Sequence, residues 1–217
     1  MYIPRENVIN YFIKKFNLIN PEYLEIGVWA GNTFKNVNSS NKDGVDPAQY
    51  CDCEYVNYKM TSDEFFKTNT KKYDFIFIDG LHTAFQVSKD IYNSISCLKP
   101  NGIIMLDDVF PHERKEQEAL NLNKSGAQTG DVWKAVYNVF DKIEEMCENI
   151  YFIKDTERGN LILKFKDNNK DNIIIDNSIP TMNSDGWYIG KDAEWSKYDY
   201  DKDFKQYYSL LDKYKIN

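Results

Sequence analysis

The sequence predicts an α/β domain on a doubly wound, mostly parallel sheet of seven strands, with an antiparallel hairpin at one edge. Three observations predict it. Short apolar runs suited to buried strands alternate with stretches at helical spacing. The first run ends in Glu25-Ile-Gly27-Val-Trp-Ala-Gly31, an acid and two glycines where a strand would turn tightly into a helix. The last two runs flank Glu157-Arg-Gly-Asn160, a hairpin-like turn that closes the sheet antiparallel.

In chain order, Val8, Ile9, Phe12, Ile13 and Phe16 define a helix over 4–16, with Pro4 at its start. A strand follows over 23–27, then a helix from about Gly31. A second strand is expected at about 42–46 and a weaker third at 55–59, leading into a helix at 62–66. Tyr73-Asp-Phe-Ile-Phe-Ile-Asp79 is the clearest strand. A helix over roughly 83–97, the turn Lys99-Pro-Asn-Gly102 and the strand 102–107 come next. Asp131 is a good N-cap for a helix reaching roughly Met146. Strands at 150–154 and 161–166 complete the seven. With no repeat and no linker, residues 1–217 read as one domain. The segment 1–20 carries an N-terminal helix. The segment 167–217 forms an arm and last helix, rich in aromatics (Trp187, Tyr188, Trp195, Tyr198, Tyr200, Phe204, Tyr207, Tyr208), that packs on the domain or on a neighbouring subunit.

Composition narrows the function. Of 217 residues 42% are hydrophobic and 28% charged, the balance of a chain that folds rather than stays disordered. A net charge of −7 and only three arginines, Arg5, Arg114 and Arg158, argue against a broad nucleic-acid or anionic-membrane surface. No apolar run approaches a membrane span, and the first residues lack the layout of a secretion signal. Cys51, Cys53, Cys97 and Cys147 form no C-x-x-C pair, so reduced thiols and a cytoplasmic location are expected.

The chemistry-bearing residues gather at strand ends. In an open parallel sheet ligands sit beyond the carboxyl ends of the strands. Glu25, Asp46, Asp79 and the pair Asp107-Asp108 stand at four such ends. One acid there is an ordinary loop residue; acids at all four are costly unless cations or hydroxyls use them. Gly27 and Gly31 leave room for close backbone approach to a ligand. Asp46, about twenty residues past the glycine turn, suits both hydroxyls of a ribose, or simply a turn before Pro47. Ser62, in Thr61-Ser62-Asp63, reads first as a helix cap and second as a neighbour of an adenine ring. Asp79, Asp107 and Asp108 suit one octahedral Mg²⁺, or else cap loops and touch the cofactor. His82 reads as general base or helix cap, and His112 is the second choice. Gly130-Asp-Val-Trp-Lys134 opens a helix, with Asp131 or Trp133 as acceptor-pocket candidates.

Acid-x-Gly-x-x-x-Gly resembles the first motif of class I S-adenosylmethionine-dependent methyltransferases; the three-glycine dinucleotide fingerprint is absent. Tyr23-Leu-Glu-Ile-Gly-Val, Val45-Asp-Pro, Met60-Thr-Ser-Asp-Glu-Phe-Phe66, Phe75-Ile-Phe-Ile-Asp-Gly-Leu-His82 and Gly130-Asp-Val-Trp-Lys-Ala135 occur in order. Together they resemble a bacterial class I family associated with surface-glycan and capsule gene clusters, over roughly residues 20–165. The resemblance implies a Rossmann-like fold and a cofactor pocket of Glu25, Gly27, Gly31, Thr33, Asp46, Ser62 and Asp79. The pair Asp107-Asp108 departs from the His-Asp of that family. It is similar instead to the macrocin and catechol O-methyltransferases, where acids at these places bind Mg²⁺ and a lysine base stands where His82 does. The expected activity is methyl transfer from S-adenosylmethionine to a small acceptor: a sugar, a sugar nucleotide or a phosphate-type group. His82 and Asp108 are the catalytic pair, and Asp79, Asp107 and Asp108 the ligands if Mg²⁺ takes part. An N-methyltransferase on a sugar amine and a non-catalytic scaffold are the alternatives, and a homodimer is compatible with the aromatic tail.

Overall fold

A computed structural model describes residues 2–49, 53–117, 129–167 and 198–216. The elements run α1 (Arg5–Lys15), β1 (Tyr23–Ile26), α2 (Asn32–Asn36), β2 (Lys42–Val45), α3 (Ser62–Thr68), β3 (Tyr73–Ile78), α4 (Ala84–Cys97), β4 (Leu98–Leu106), α5 (Val132–Met146), β5 (Cys147–Ile153), β6 (Asn160–Phe165) and α6 (Tyr200–Asp212). The sheet order is β2-β1-β3-β4-β6-β5. β1, β2, β3 and β4 are parallel, while β6 runs antiparallel to both β4 and β5.

The sheet has six strands among the described residues, not the seven expected. The weak strand at 55–59 is reduced to a single bridge between Val45 and Tyr58. Asn57 explains the loss: its side-chain oxygen accepts the Gly44 N–H at 2.9 Å, a bond that a continued ladder would draw from backbone. The turn Lys99–Gly102 sits inside β4 as an irregularity in its pairing with β3, with Asn101 at φ +57°.

Strand parity divides the core. Leu24, Ile26, Ile76, Ile78, Ile104 and Leu106 face α3, α4, α5 and α6. Tyr23, Phe75, Phe77, Ile103 and Met105 face α1 and α2, meeting Val8, Ile9, Phe12 and Phe34. Both faces are covered, so the central strands are apolar on both sides, as parallel sheets require. α6 packs on its own domain: Tyr207 is fully buried, and its hydroxyl donates to the Val109 carbonyl at 2.9 Å. Trp187, Tyr188 and Trp195, expected in the arm, lie outside the described residues, as does Cys51. Cys53, Cys97 and Cys147 take part in no disulfide among the described residues. No described helix is long and apolar enough to cross a membrane.

Capping differs from expectation at two places. Thr61, not Ser62, caps α3: Thr61 and Glu64 exchange hydrogen bonds in a complete capping box. Asp131 holds the cap position of α5 but makes no cap bond there. Its Oδ1 instead accepts the Ala84 N–H at 2.6 Å, holding the first amide of α4 beside that helix's own N-cap, Thr83.

Candidate active site at the carboxyl ends of β1, β3 and β4

The glycine turn after β1 is held from two sides. Gly27 has φ +88°, and a Cβ there would lie 1.9 Å from the Asp79 carbonyl oxygen. A Cβ on Gly31 would lie 2.2 Å from the Tyr55 ring. Close approach is therefore demanded first by the protein itself: the turn packs against the end of β3 and against Tyr55. Asp46 fastens it, Oδ2 accepting the N–H groups of Val28 (3.1 Å) and Trp29 (3.0 Å), and Oδ1 that of Ala48 (2.7 Å). Thr33 lies half-buried in α2 just beyond. Ser62 Oγ accepts from Gln86 Nε2 at 3.1 Å, joining the starts of α3 and α4.

Glu25 lies within β1, 1% exposed, and accepts the Tyr23 hydroxyl proton at 2.5 Å. Burial pushes its carboxyl up to about 8; the Tyr23 bond opposes this and the charge of Asp79 adds to it. Glu25 shares parity with Tyr23, so it faces α1 and α2 rather than the crevice.

Asp79 and Asp107 follow the parity of Phe77 and Met105 and emerge toward the same face. Arg5, at the first turn of α1, meets both. It forms an ion pair with Asp107 Oδ2, and its Nε lies 4.0 Å from Asp79 Oδ2. Asn160, fully buried at the start of β6, donates to Asp107 Oδ1 at 2.6 Å. Burial and the charges of Asp79 and Asp108 hold the Asp107 carboxyl well above the usual range, with Arg5 opposing them. Burial lowers the guanidinium's pKa, but the three aspartates outweigh it and the net shift is upward.

Asp108 would continue the parity of Leu106, away from the site. A left-handed backbone, φ +56°, turns it back. Its Oδ2 lies 3.1 Å from His82 Nδ1, and His82 Nε2 lies 3.0 Å from Asp79 Oδ1. Burial pushes the Asp108 carboxyl up to about 6, with His82 opposing. His82 sits in the loop two residues ahead of α4, and Gly130 supports it from behind. A Cβ on Gly130 would lie 1.7 Å from the His82 carbonyl oxygen. Gly130 and Asp131 thus brace the 79–84 turn.

The aspartates expected to share Mg²⁺ are consequently split. The ligand atoms lying within 4.8 Å of one another belong to Asp79, His82 and Asp108. Asp107 stands apart, its two oxygens engaged by Arg5 and Asn160. As an all-oxygen Mg²⁺ cage the trio does not fit. His112 is exposed; its backbone N–H donates to Glu116 at 2.7 Å, and its ring packs near Phe110. Arg5, Asn160 and Gly130 were missed as site residues. Only the scarcity of arginine hinted at Arg5.

Residues 24–109 match a family model described as a methyltransferase domain. The methyltransferase PaMTH1 of Podospora anserina, solved bound to SAH, superposes with a TM-score of 0.51 at 15% identity, covering 75% of this chain and 78% of that one. At that identity the likeness shows the fold. An O-methyltransferase of Bacillus cereus, solved in complex with SAH, gives 0.48 at 14%, covering 75% and 80%. No curated protein matches the chain. The match over residues 24–109 and the shared fold make this chain similar to class I S-adenosylmethionine-dependent methyltransferases. The methyl donor of that class is S-adenosylmethionine.

Proposed function

We propose that the chain methylates a hydroxyl of a small acceptor, with His82 as the base. The observation that carries this reading is the seating of His82 between Asp108 at Nδ1 and Asp79 at Nε2, beside the glycine turn. Asp108 orients the ring, as a carboxylate orients a catalytic histidine elsewhere. An acceptor hydroxyl taking the place of Asp79 at Nε2 passes its proton to the ring as its oxygen attacks. The new bond joins that oxygen to the methyl carbon. The methyl–sulfur bond breaks, its electron pair stays on sulfur, and S-adenosylhomocysteine leaves. The sulfonium methyl is already activated, so the protein's work is alignment and proton removal.

Asp46, Gly27, Gly31, Thr33 and Ser62 frame the cofactor in this reading. Asp46 would serve the ribose with the lone pairs its backbone bonds leave, while Glu25 supports the pocket from inside the sheet. A sugar or sugar nucleotide acceptor and a role in capsule or other surface polysaccharide rest on the sequence resemblance, and a cytoplasmic setting on the cysteine pattern. A phosphate-type acceptor would need no base, and transfer to a sugar amine would leave His82 less to do. No partner chain enters this reading; the tail as a dimer contact rests on its aromatic composition.

The test has two readouts. Calorimetric titration with S-adenosylhomocysteine should give micromolar binding in the native protein and in His82→Gln. Transfer of labelled methyl to a panel of hydroxylated sugars and sugar nucleotides should fall on the order of 100-fold or more in the variant. Undiminished transfer in His82→Gln would remove the base role; absent cofactor binding would remove the reading altogether.

A further inference from the structure

Acids that converge at the ends of β3 and β4 call for positive charge, and this chain carries one of its own there. Arg5 is badly placed for its helix: a cation in the first turn of α1 opposes the helix dipole. Taking a guanidinium even partly out of water is also costly unless it is paired. What holds it is the ion pair with Asp107, whose side chain is 1% exposed, and the nearby charge of Asp79. The other oxygen of Asp107 is occupied by Asn160. A divalent ion claiming Asp107 would have to displace a half-buried guanidinium whose Nε is shut off from solvent, and leave it unpaired. Between Asp79 and Asp108, where an ion could otherwise bridge, lies the His82 ring, within 3.1 Å of both carboxylates. An ion entering there would have to push the ring aside or accept its nitrogen. Mg²⁺ demands near-ideal octahedral coordination and prefers oxygen.

We infer that Arg5 is the resident cation of this site and stands in for a divalent ion, so that the site is closed to Mg²⁺ while Arg5 is in place. Its bearing on methyl transfer rests on the function proposed above, but ion binding is measured without it. The direct experiment titrates MgCl₂, then MnCl₂, calorimetrically into the chelator-treated full chain and into Arg5→Met. The native protein should show no saturable binding below millimolar ion. Arg5→Met, which frees Asp107, should bind at least tenfold more tightly. Micromolar Mg²⁺ binding by the native protein overturns the inference, and so does a folded Arg5→Met that gains nothing. Arg5→Gln replaces Arg5→Met if circular dichroism shows the latter unfolded; the native titration is decisive against the inference in either case. A parallel titration with S-adenosylhomocysteine separates the two ideas. Its failure counts against the methyltransferase reading and leaves the ion result standing, whereas equal cofactor binding with and without Mg²⁺ is the expected result.

Discussion

At the scale of single residues, the site depends on atoms that are missing as much as on those present. Gly27 and Gly130 both have positive φ, and a methyl group on either would sit under 2 Å from a backbone carbonyl, that of Asp79 or that of His82. Neither carbonyl can move without moving the site. Gly130→Ala should therefore cost about 3 kcal/mol in denaturant unfolding, combining overpacking with left-handed backbone strain. It should also lower turnover more than cofactor affinity, because the atom it strikes belongs to His82. The glycine turn was plain in the sequence, since an acid and two spaced glycines after an apolar run have few structural uses. Gly130 was visible only as part of a motif. That it braces a histidine 48 positions earlier depends on α5 returning to the start of α4, which local spacing does not encode.

At the scale of elements, helix ends and loops are tied across the molecule rather than locally. Asp131, at the start of α5, joins Thr83 in capping α4 by accepting its first amide. Asp131→Ala should cost about 1 kcal/mol, the usual loss for a cap, and raise hydrogen exchange at the first amides of α4 rather than of α5. Equal protection in both helices would contradict this assignment. The C-terminal helix α6 anchors the loop that carries Asp108: Tyr207 bonds the carbonyl of the next residue, Val109, inside the core. Tyr207→Phe leaves that carbonyl unpaired and should cost roughly 1–3 kcal/mol, with turnover falling while S-adenosylhomocysteine binding persists. Helices and strands were largely legible because their apolar periods are strong. The strand at 55–59 was not, because its pattern is apolar enough for an edge while Asn57 spends its side chain on the neighbouring backbone.

At the scale of the whole molecule, buried acids give stability a particular pH dependence. Glu25 and Asp90 are buried with carboxyls pushed up to about 8 and about 7, in each case chiefly by burial. An acid whose folded pKa exceeds its unfolded value binds more protons when folded, so stability falls as pH rises between the two values. The window runs from about 4 to about 8. The denaturation midpoint should thus decline from pH 5 to pH 8 and flatten above. Glu25→Gln, which keeps an acceptor for Tyr23, should make that decline shallower; an unchanged profile would place the proton elsewhere.

The sequence alone determined the α/β class, the order of the elements, the glycine turn and the strand-end acids, because each follows from periodicity and turn chemistry within a few residues. Tertiary structure decided how those acids are used. Strand parity sends Asp79 and Asp107 toward α1, and a left-handed residue turns Asp108 back to His82. Arg5 reaches Asp107 from 102 positions away in the chain. Such pairings are set by which helix covers which face of the sheet, and no local pattern carries that information.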